Sequence, residues 1–403
     1  MSEPVSGSER TLVIGAGVGG LTAAALHSRG RPVTVLERAP SIEPLGSGLG
    51  LTPNALRALD AVGVGDEVRS RRGRTAMGGM RAPSGRWLVR TDSDALAERY
   101  GGPMVALHRA TLIDLLRSRL PDEVVRTGAE TQLLDPGGPG QPARVRVGDE
   151  ELTAGLVVAA DGIHSAARGV LFPEHPAPEY AGFTAWRVMV PGTEVDGEVA
   201  PHETWGRGRL WGTQPLHDGR VYAYATAKVP EGERAPDSEL AELLRRFGDW
   251  HRPVPDILAA AAPGDVLRND IHQMSVALPA YHRGRVVLVG DAAHPMAPTL
   301  GQGGNQAIED AVVLAHHLAE HTGPETGEDG VEGALAAYTR DRLPRTMDIV
   351  RRAGRMARTI NMTSAPACAL RNAAMGAVGR LLPGVAVRAL DGVADWSPPV
   401  SRP

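Results

Sequence analysis

The chain has 403 residues, 42% of them hydrophobic, enough to bury a large core and, on length alone, to form two or three lobes. With 43 basic against 47 acidic residues the formal charge is −4, which excludes the basic balance of a nucleic-acid binder. The single cysteine, Cys368, excludes an internal disulfide framework and a cysteine-based metal cluster. No run approaches the roughly 18 apolar residues of a membrane helix, and the polar residues 1–10 do not read as a signal peptide. A cytoplasmic protein without an integral membrane segment, monomeric or homodimeric, is expected. Lys228 is the only lysine, which reads as genome composition, and the histidines, His316-His317 included, lack metal-ligand spacing.

Residues 11–14 read as a strand, residues 15–20 (Gly-Ala-Gly-Val-Gly-Gly) as a glycine turn, residues 21 to about 28 as a helix, and residues 34–36 as a second strand ending at Glu37. Gly15 permits the tight turn, Gly17 lets backbone approach a pyrophosphate, and Gly20 lets helix and strand pack closely. The helix N-terminus offers free N–H groups and a positive dipole end. Glu37 stands where a ribose-hydroxyl acceptor is expected. Together these elements predict a bound dinucleotide; the competing reading is a tight turn in an ordinary βαβ unit.

The glycine-rich residues 46–50 follow, and residues 55–59 have helical apolar spacing, with Thr52 as N-cap and Pro53 as first helical residue. This is either a capped helix after a flexible loop or a loop whose bare backbone, at Gly50 for example, touches a cofactor. The arginines of residues 69–74 read as solvated surface, and strand-like pieces follow at residues 76–80 and 86–90. Leu112, Leu115, Leu116 and Leu120 share the buried face of a helix that begins near Arg109. Arg109 itself meets either a phosphate or ring system or a surface carboxylate.

Residues 141–152 read as a β-ribbon and residues 156–160 as a buried strand with Asp161-Gly162 at its carboxyl end, where α/β sheets bind ligands. Between residues 180 and 228 the sequence alternates: Phe183, Ala185 and Arg187 on one face, Thr184, Trp186 and Val188 on the other. With Trp205, Trp211, Tyr222 and Tyr224 this predicts a separate sheet, its rings either flooring a pocket for an aromatic ligand or forming the sheet's own core. Residues 285–291 give a third strand, ending in Gly290-Asp291. Pro298, Gly301, Gly303, Gly304 and Asn305 lead from it into a helix from Gln306 to about Glu320. Residues 335–382 are helical in pattern, with Arg351, Arg355 and Arg358 on a solvated side.

The order of the three strand-terminal motifs, with Leu107-His108-Arg109 and the 298–305 loop, resembles the group A flavoprotein monooxygenases, the FAD-dependent aromatic hydroxylase family. Residues 182–187 and 203–208 resemble its salicylate-hydroxylase and zeaxanthin-epoxidase branch. The resemblance implies an α/β fold: a Rossmann-like FAD-binding domain with a central parallel sheet (1–75, 101–175 and 270–340), a mainly antiparallel-sheet substrate domain (76–100 and 176–269), and a C-terminal helical region (341–403). It implies that Gly15, Gly17, Gly19 and Gly20 hold the FAD pyrophosphate, Glu37 the adenosine ribose, Arg38 the adenosine half and Leu133 the adenine. Arg109 would lie by the ribityl-pyrophosphate, Asp161-Gly162 by FAD and nicotinamide, and Asp291 by the ribitol. Gly50, Pro298, Gly301, Gly303, Gly304 and Asn305 would flank the isoalloxazine, with Trp186, Trp205, Trp211, Tyr222 and Tyr224 around the substrate.

The implied reaction uses NADPH or NADH and O2, passes through a flavin C4a-hydroperoxide, and inserts one oxygen atom into an electron-rich aromatic or unsaturated small molecule. Such chemistry requires no metal, triad or carboxylate pair, and none stands out in the sequence. Arg187 or His202 would help ionise a phenol. The alternatives are an epoxidase or oxidative cyclisation enzyme acting on an indole or isoprenoid alkene, a flavin reductase, a halogenase, or a non-catalytic flavin-binding protein. A halogenase fits less well, because residues 186–191 lack that family's second tryptophan and Lys228 does not follow an early strand.

Overall fold

The computed structural model describes residues 10–28, 30–42, 47–73, 77–197, 199–321 and 330–399. The 1–9 tail, Gly46, Arg74 and Ala76 lie outside these residues. Two sheets dominate. The first has six strands in the order His282–Arg283, Val286–Leu288, Leu156–Ala159, Thr11–Ile14, Val33–Leu36, Val125–Arg126. Its inner strands run parallel, with Thr11–Ile14 flanked in register by Leu156–Ala159 and Val33–Leu36. Burial explains their composition: Leu12, Val13, Val35, Val157, Val158, Val286 and Val287 are all fully enclosed, as a parallel strand covered on both faces requires. Only the edge pairing, His282–Arg283 with Val286–Leu288, is antiparallel.

Helices Val18–His27 and Gly303–His321 pack against each other at very short range. Ala307 fills the space that side chains at Gly19 and Gly290 would occupy; a Cβ there would meet the Ala307 Cβ at 3.2 and 2.9 Å. The helix begins at Gly303, earlier than the pattern predicts, so Gly303, Gly304 and Asn305 form its first turn rather than a loop. Thr52 and Pro53 stand at the expected N-cap and first positions of helix Pro53–Val62. The Thr52 hydroxyl makes no capping bond, however: its oxygen accepts from Gln302 Nε2 at 2.9 Å, and its proton is shared between Asn54 Oδ1 at 2.5 Å and Asn305 Oδ1 at 3.0 Å.

The second sheet has seven strands in the order Leu267–Gln273, Glu179–Pro191, Arg220–Ala227, Arg209–Pro215, His202–Trp205, Met77–Arg81, Trp87–Asp92. All neighbours are antiparallel except His202–Trp205 and Met77–Arg81. The early strand-like pieces thus join the aromatic strands, and Leu267–Gln273 carries this sheet past residue 269. The alternation sorts the side chains by face, as the sequence suggests. Trp186, Val188 and Trp211 pack with Phe247, Trp250 and Ile257 beneath helices Glu239–Phe247 and Val254–Ala260. Phe183 and Ala185 pack on the opposite face with Ala297, Ala353 and Ala357. The C-terminal helical stretch is two helices, Gly330–Ile360 and Ala365–Leu381, and residues 391–396 return to the first lobe, where Arg57 bonds the Ala394 and Trp396 carbonyls.

This sorting corrects two expectations. Trp186 and Trp211, 1% and 0% exposed, belong to the core under the helices and do not wall a substrate pocket; Trp186 Nε1 donates to Glu239 and Trp211 Nε1 to Thr213. Trp186→Ala is therefore expected to destabilise the protein by about 3–5 kcal/mol in urea unfolding, while substrate affinity of the folded fraction stays unchanged. His202 also lies off the pocket face: its ring packs against Trp87 and His251 and its Nδ1 meets the Ala200 carbonyl at 2.8 Å. Burial lowers its pKa from 6.5 to about 4, and burial beside Arg31 does the same for His27. The unfolded chain takes up these protons near pH 6.5 and the folded chain only near pH 4. Stability should therefore fall as pH drops through that window, by up to ~1.4 kcal/mol per unit for each histidine. Unfolding at pH 7 and pH 5 checks this, and His202→Leu should make the dependence shallower.

Candidate active site

The carboxyl ends of the parallel strands converge on one cleft. Gly15 turns the chain at φ +100°, and a Cβ there would lie 2.5 Å from the Ala160 carbonyl oxygen. A Cβ at Gly20 would collide with the Gly15 carbonyl at 2.0 Å, so only glycine allows the helix to start this close to the strand. Glu37, at the end of the second strand, accepts from the Ala16 N–H at 2.7 Å and the Ala39 N–H at 2.9 Å, which holds its carboxylate beside the glycine turn. Arg38 next to it is exposed.

Arg109 begins helix Arg109–Arg117, and its Nη2 would stand 3.6 Å from a Cβ at Gly17. Desolvation lowers its pKa against the pull of Asp291 and Glu37, yet it forms no ion pair among the described residues. Asp291 is surrounded by protein but keeps accessible surface, as a cleft-lining group does; desolvation raises its carboxyl pKa, with His294, Arg109 and Arg168 opposing. Gly303, at the first turn of its helix, lies 3.7 Å (as a built Cβ) from Asp291 Oδ1. An unpaired guanidinium, a bare glycine turn, two helix N-termini and an accessible carboxylate thus face one space. That donor set fits a dinucleotide: guanidinium and N–H groups for a pyrophosphate, a carboxylate for hydroxyls.

Asp161 Oδ2 accepts from the Ala167 N–H at 3.1 Å, while its buried Oδ1 has no partner among the described residues; Gly162 follows at φ +80°. Pro298 and Gly301 lie exposed in the loop preceding the Gly303–His321 helix, Gly301 at φ +62°. Gly304 packs on Leu49, and Gly50 is exposed on the facing strand Gly48–Leu51. Three predicted cofactor contacts are instead built into the scaffold. Gly19 faces Ala307, Leu133 is 4% exposed within strand Thr131–Asp135, and the fully buried Asn305 amide ties Gly50 O, Gly301 O and the Thr52 N–H at 2.7–2.9 Å.

Beneath this cleft lies a buried ionic network that sequence reasoning missed. Arg342 Nε meets Asp310 Oδ1 at 2.7 Å, its Nη1 meets Glu309 Oε2 at 2.6 Å, and its Nη2 meets Gln306 Oε1 at 2.8 Å. Asp310 Oδ2 in turn accepts from the Gly290 N–H at 2.8 Å and pairs with His294 Nε2 at 2.6 Å. Glu309 also takes Arg345 and the Asn54 amide. Burial opposes ionisation of Asp310, but His294 and Arg342 outweigh it and hold the carboxyl down at about 2. The available signal was the acid pair Glu309-Asp310 interrupting the apolar stretch 307–314.

Residues 9–353, which contain the glycine turn, the Gly290-Asp291 corner and the Gly303–His321 helix, match the FAD binding domain family. The chain is 35% identical over 365 residues to the aurachin C monooxygenase/isomerase of Stigmatella aurantiaca, covering 90% of this chain and 93% of that protein. It is 35% identical over 380 residues to the 3-amino-4-hydroxybenzoate 2-monooxygenase of Streptomyces cremeus, covering 91% and 92%. A crystal structure of Klebsiella pneumoniae HpxO with FAD and uric acid superposes with a TM-score of 0.81 at 27% identity, covering 93% and 95%. The chain is a group A FAD-dependent monooxygenase.

In this monooxygenase the open face of the seven-stranded sheet carries Arg187, Tyr222, Tyr224, Trp205 and Glu203. Tyr222 and Tyr224 lie 5.8 Å apart, their rings filling space that only glycine leaves: a Cβ at Gly48 would meet Tyr222 at 2.4 Å, and one at Gly212 would meet Tyr224 at 2.1 Å. Arg187 donates to Asn269 at 2.6 Å and lies against the Tyr222 hydroxyl, whose pKa burial raises and the guanidinium pulls back. Met356 and Ile360 of the long C-terminal helix and Met375 of the next one pack over Trp205 and Leu210. Elsewhere, His316, His317 and Glu320 bring potential metal-ligand atoms within 4.8 Å, with His317 already bonded to Asp341 at 2.8 Å.

Arg109→Ala is expected to leave the melting temperature nearly unchanged and weaken FAD binding at least tenfold. Gly15→Ala, in contrast, should lower both stability and flavin content. Flavin absorbance per mole of purified protein reads the cofactor, and thermal unfolding of the flavin-free proteins reads the stability.

Proposed function

We propose that the enzyme consumes NAD(P)H and O2 to hydroxylate a small, electron-rich aromatic molecule held between the antiparallel sheet and the 298–301 loop. The parallel-sheet segments would bind FAD and the antiparallel segments the substrate. Gly15, Gly17, Gly20 and Arg109 would hold the pyrophosphate, Glu37 and Arg38 the adenosine side, and Asp291 the ribitol. Asp161-Gly162, Gly50, Pro298, Gly301, Gly303 and Gly304 would border the rest of the cofactor. Bound FAD supplies the redox chemistry, by which electrons from NAD(P)H activate O2 so that one oxygen atom reaches the substrate and the other leaves as water.

The observation that carries this reading is the polar, ring-lined face formed by Arg187, Tyr222, Tyr224 and Glu203. Two flat phenol rings with hydrogen-bonding groups at both ends suit a planar aromatic ligand better than an isoprenoid chain, which would leave those groups unpaired. The names of the relatives point the same way: aminohydroxybenzoate and urate are substrates of this kind. In this arrangement Arg187 orients the ligand, its guanidinium fixed by Asn269. Met356 and Ile360 cover the Trp205 end of the sheet, and Leu300, within the 298–301 loop, would exclude water from the reacting end.

The purified protein should be yellow and oxidise NADH or NADPH faster when an aromatic substrate is present, with matching O2 uptake and a product one oxygen atom heavier. Stimulated NAD(P)H oxidation without O2 uptake would sink the monooxygenase reading.

A further inference from the structure

Among the described residues, Glu203 is the one carboxylate on the Tyr222 and Tyr224 face of the sheet for which neither the cofactor site nor the ionic network accounts. It stands mid-strand in His202–Trp205, and alternation puts it opposite to His202 and on the same side as Trp205. Its Oε1 accepts from the Tyr224 hydroxyl at 2.7 Å and its Oε2 from Trp205 Nε1 at 2.8 Å. Both donors are neutral. A carboxylate accepts about four hydrogen bonds, so half its capacity is unused, and no cation pairs with it among the described residues.

The charged groups closest in the packing are committed elsewhere. Arg371, from helix Ala365–Leu381, lies over the Trp205 ring at 5.4 Å, but its nitrogens donate to Asn372, the Thr359 carbonyl and the Gly206 carbonyl. Arg187 is taken by Asn269 and Tyr222. The long C-terminal helix contributes only Met356 and Ile360 to this cluster. Desolvation accordingly raises the Glu203 carboxyl pKa, with Trp205 and Tyr224 only partly opposing.

A buried acid that merely joined two neighbours would carry a desolvation penalty a glutamine would avoid. Glu203 and Tyr224 are also surrounded by protein yet keep accessible surface, so both line an internal space rather than solid core. From Glu203 that lining runs through the Tyr224 and Tyr222 rings to Arg187, which lies close enough to Arg109 on the cofactor side to perturb it.

We propose that Glu203 is the specificity-determining anchor of the substrate pocket: it accepts a hydrogen bond from an N–H or O–H of a neutral planar ligand. The donor end of the ligand then lies on Glu203 and its opposite edge points along the tyrosines toward the cofactor. This rests on the aromatic-substrate reading above and narrows it to ligands with a donor at one edge. A site with an unpaired buried acceptor rejects the analogue that lacks the donor far more strongly than it rejects a change in apolar size.

The test uses FAD-loaded enzyme and matched probes: 4-quinolone with N-methyl-4-quinolone, indole with N-methylindole, and 2-naphthol with 2-methoxynaphthalene. Binding is read from perturbation of the oxidised flavin spectrum, which needs neither turnover nor O2 and so separates this proposal from the monooxygenase reading. In the unmutated enzyme at least one donor probe should bind tenfold or more tightly than its methylated partner. Glu203→Gln, with flavin content and melting temperature preserved, should reduce that ratio to about twofold or less. Tyr224→Phe, which leaves the carboxylate in place, should retain it. Should Glu203→Gln fail to fold, the unmutated enzyme still decides, because the preference should fade as pH is lowered and the carboxyl takes up a proton. Equal binding within every pair, a preference that survives Glu203→Gln, or one lost in Tyr224→Phe alone would overturn the assignment.

Discussion

The buried guanidinium of Arg342 is the constraint on which the rest of the molecule depends. It comes from the C-terminal helix, yet it neutralises Glu309 and Asp310 of the helix that opens at the cofactor cleft. Through Asp310 it fixes the Gly290 turn and His294; through Glu309 it reaches Asn54. Two carboxylates and a guanidinium with essentially no exposure are tolerable only as a fully bonded set, and removing one member strands the others. The network thus joins three segments far apart in sequence at the one place where all three meet the cleft.

The same logic separates charge that holds the scaffold from charge left free to act. Asp310 and Glu309 have every oxygen engaged. Asp291, Arg109 and Glu203 form no ion pair among the described residues, and each has accessible surface despite close packing around it. Burial without a charged partner is unfavourable in the free protein. In the proposed reading it marks the positions where a bound molecule would restore the missing partners: pyrophosphate and hydroxyls in the cleft, a donor-bearing ring along the sheet.

Much of the fold was legible in the sequence because its signals are local. A glycine turn between a strand and a helix, a buried valine run ending in Asp-Gly, and strict alternation through residues 183–188 each follow from sterics or period alone. What misled was the assumption that a ring or glycine near a motif faces the ligand. Trp186 and Trp211 satisfy the alternation, but periodicity does not say which face of the sheet the helices cover. Gly19 and Asn305 lie inside recognisable motifs and serve packing. His202 and Glu203 are adjacent, and only the sheet's orientation decided that the acid faces the pocket and the histidine does not.

By itself the sequence determined the βαβ glycine motif and the buried and alternating strands, since each rests on local spacing, and the order of its three strand-terminal motifs along the chain carried the resemblance to the FAD-dependent monooxygenase family. The tertiary structure decided which side chains share the cleft, which acids are paired, and which tyrosines share a sheet face with Arg187 and Glu203. Those outcomes depend on contacts such as Asn54 with Glu309 and Arg187 with Asn269, 255 and 82 positions apart. No local period encodes such a pairing; it arises when elements distant in sequence are packed together and each buried polar group must find a partner or be left for a ligand.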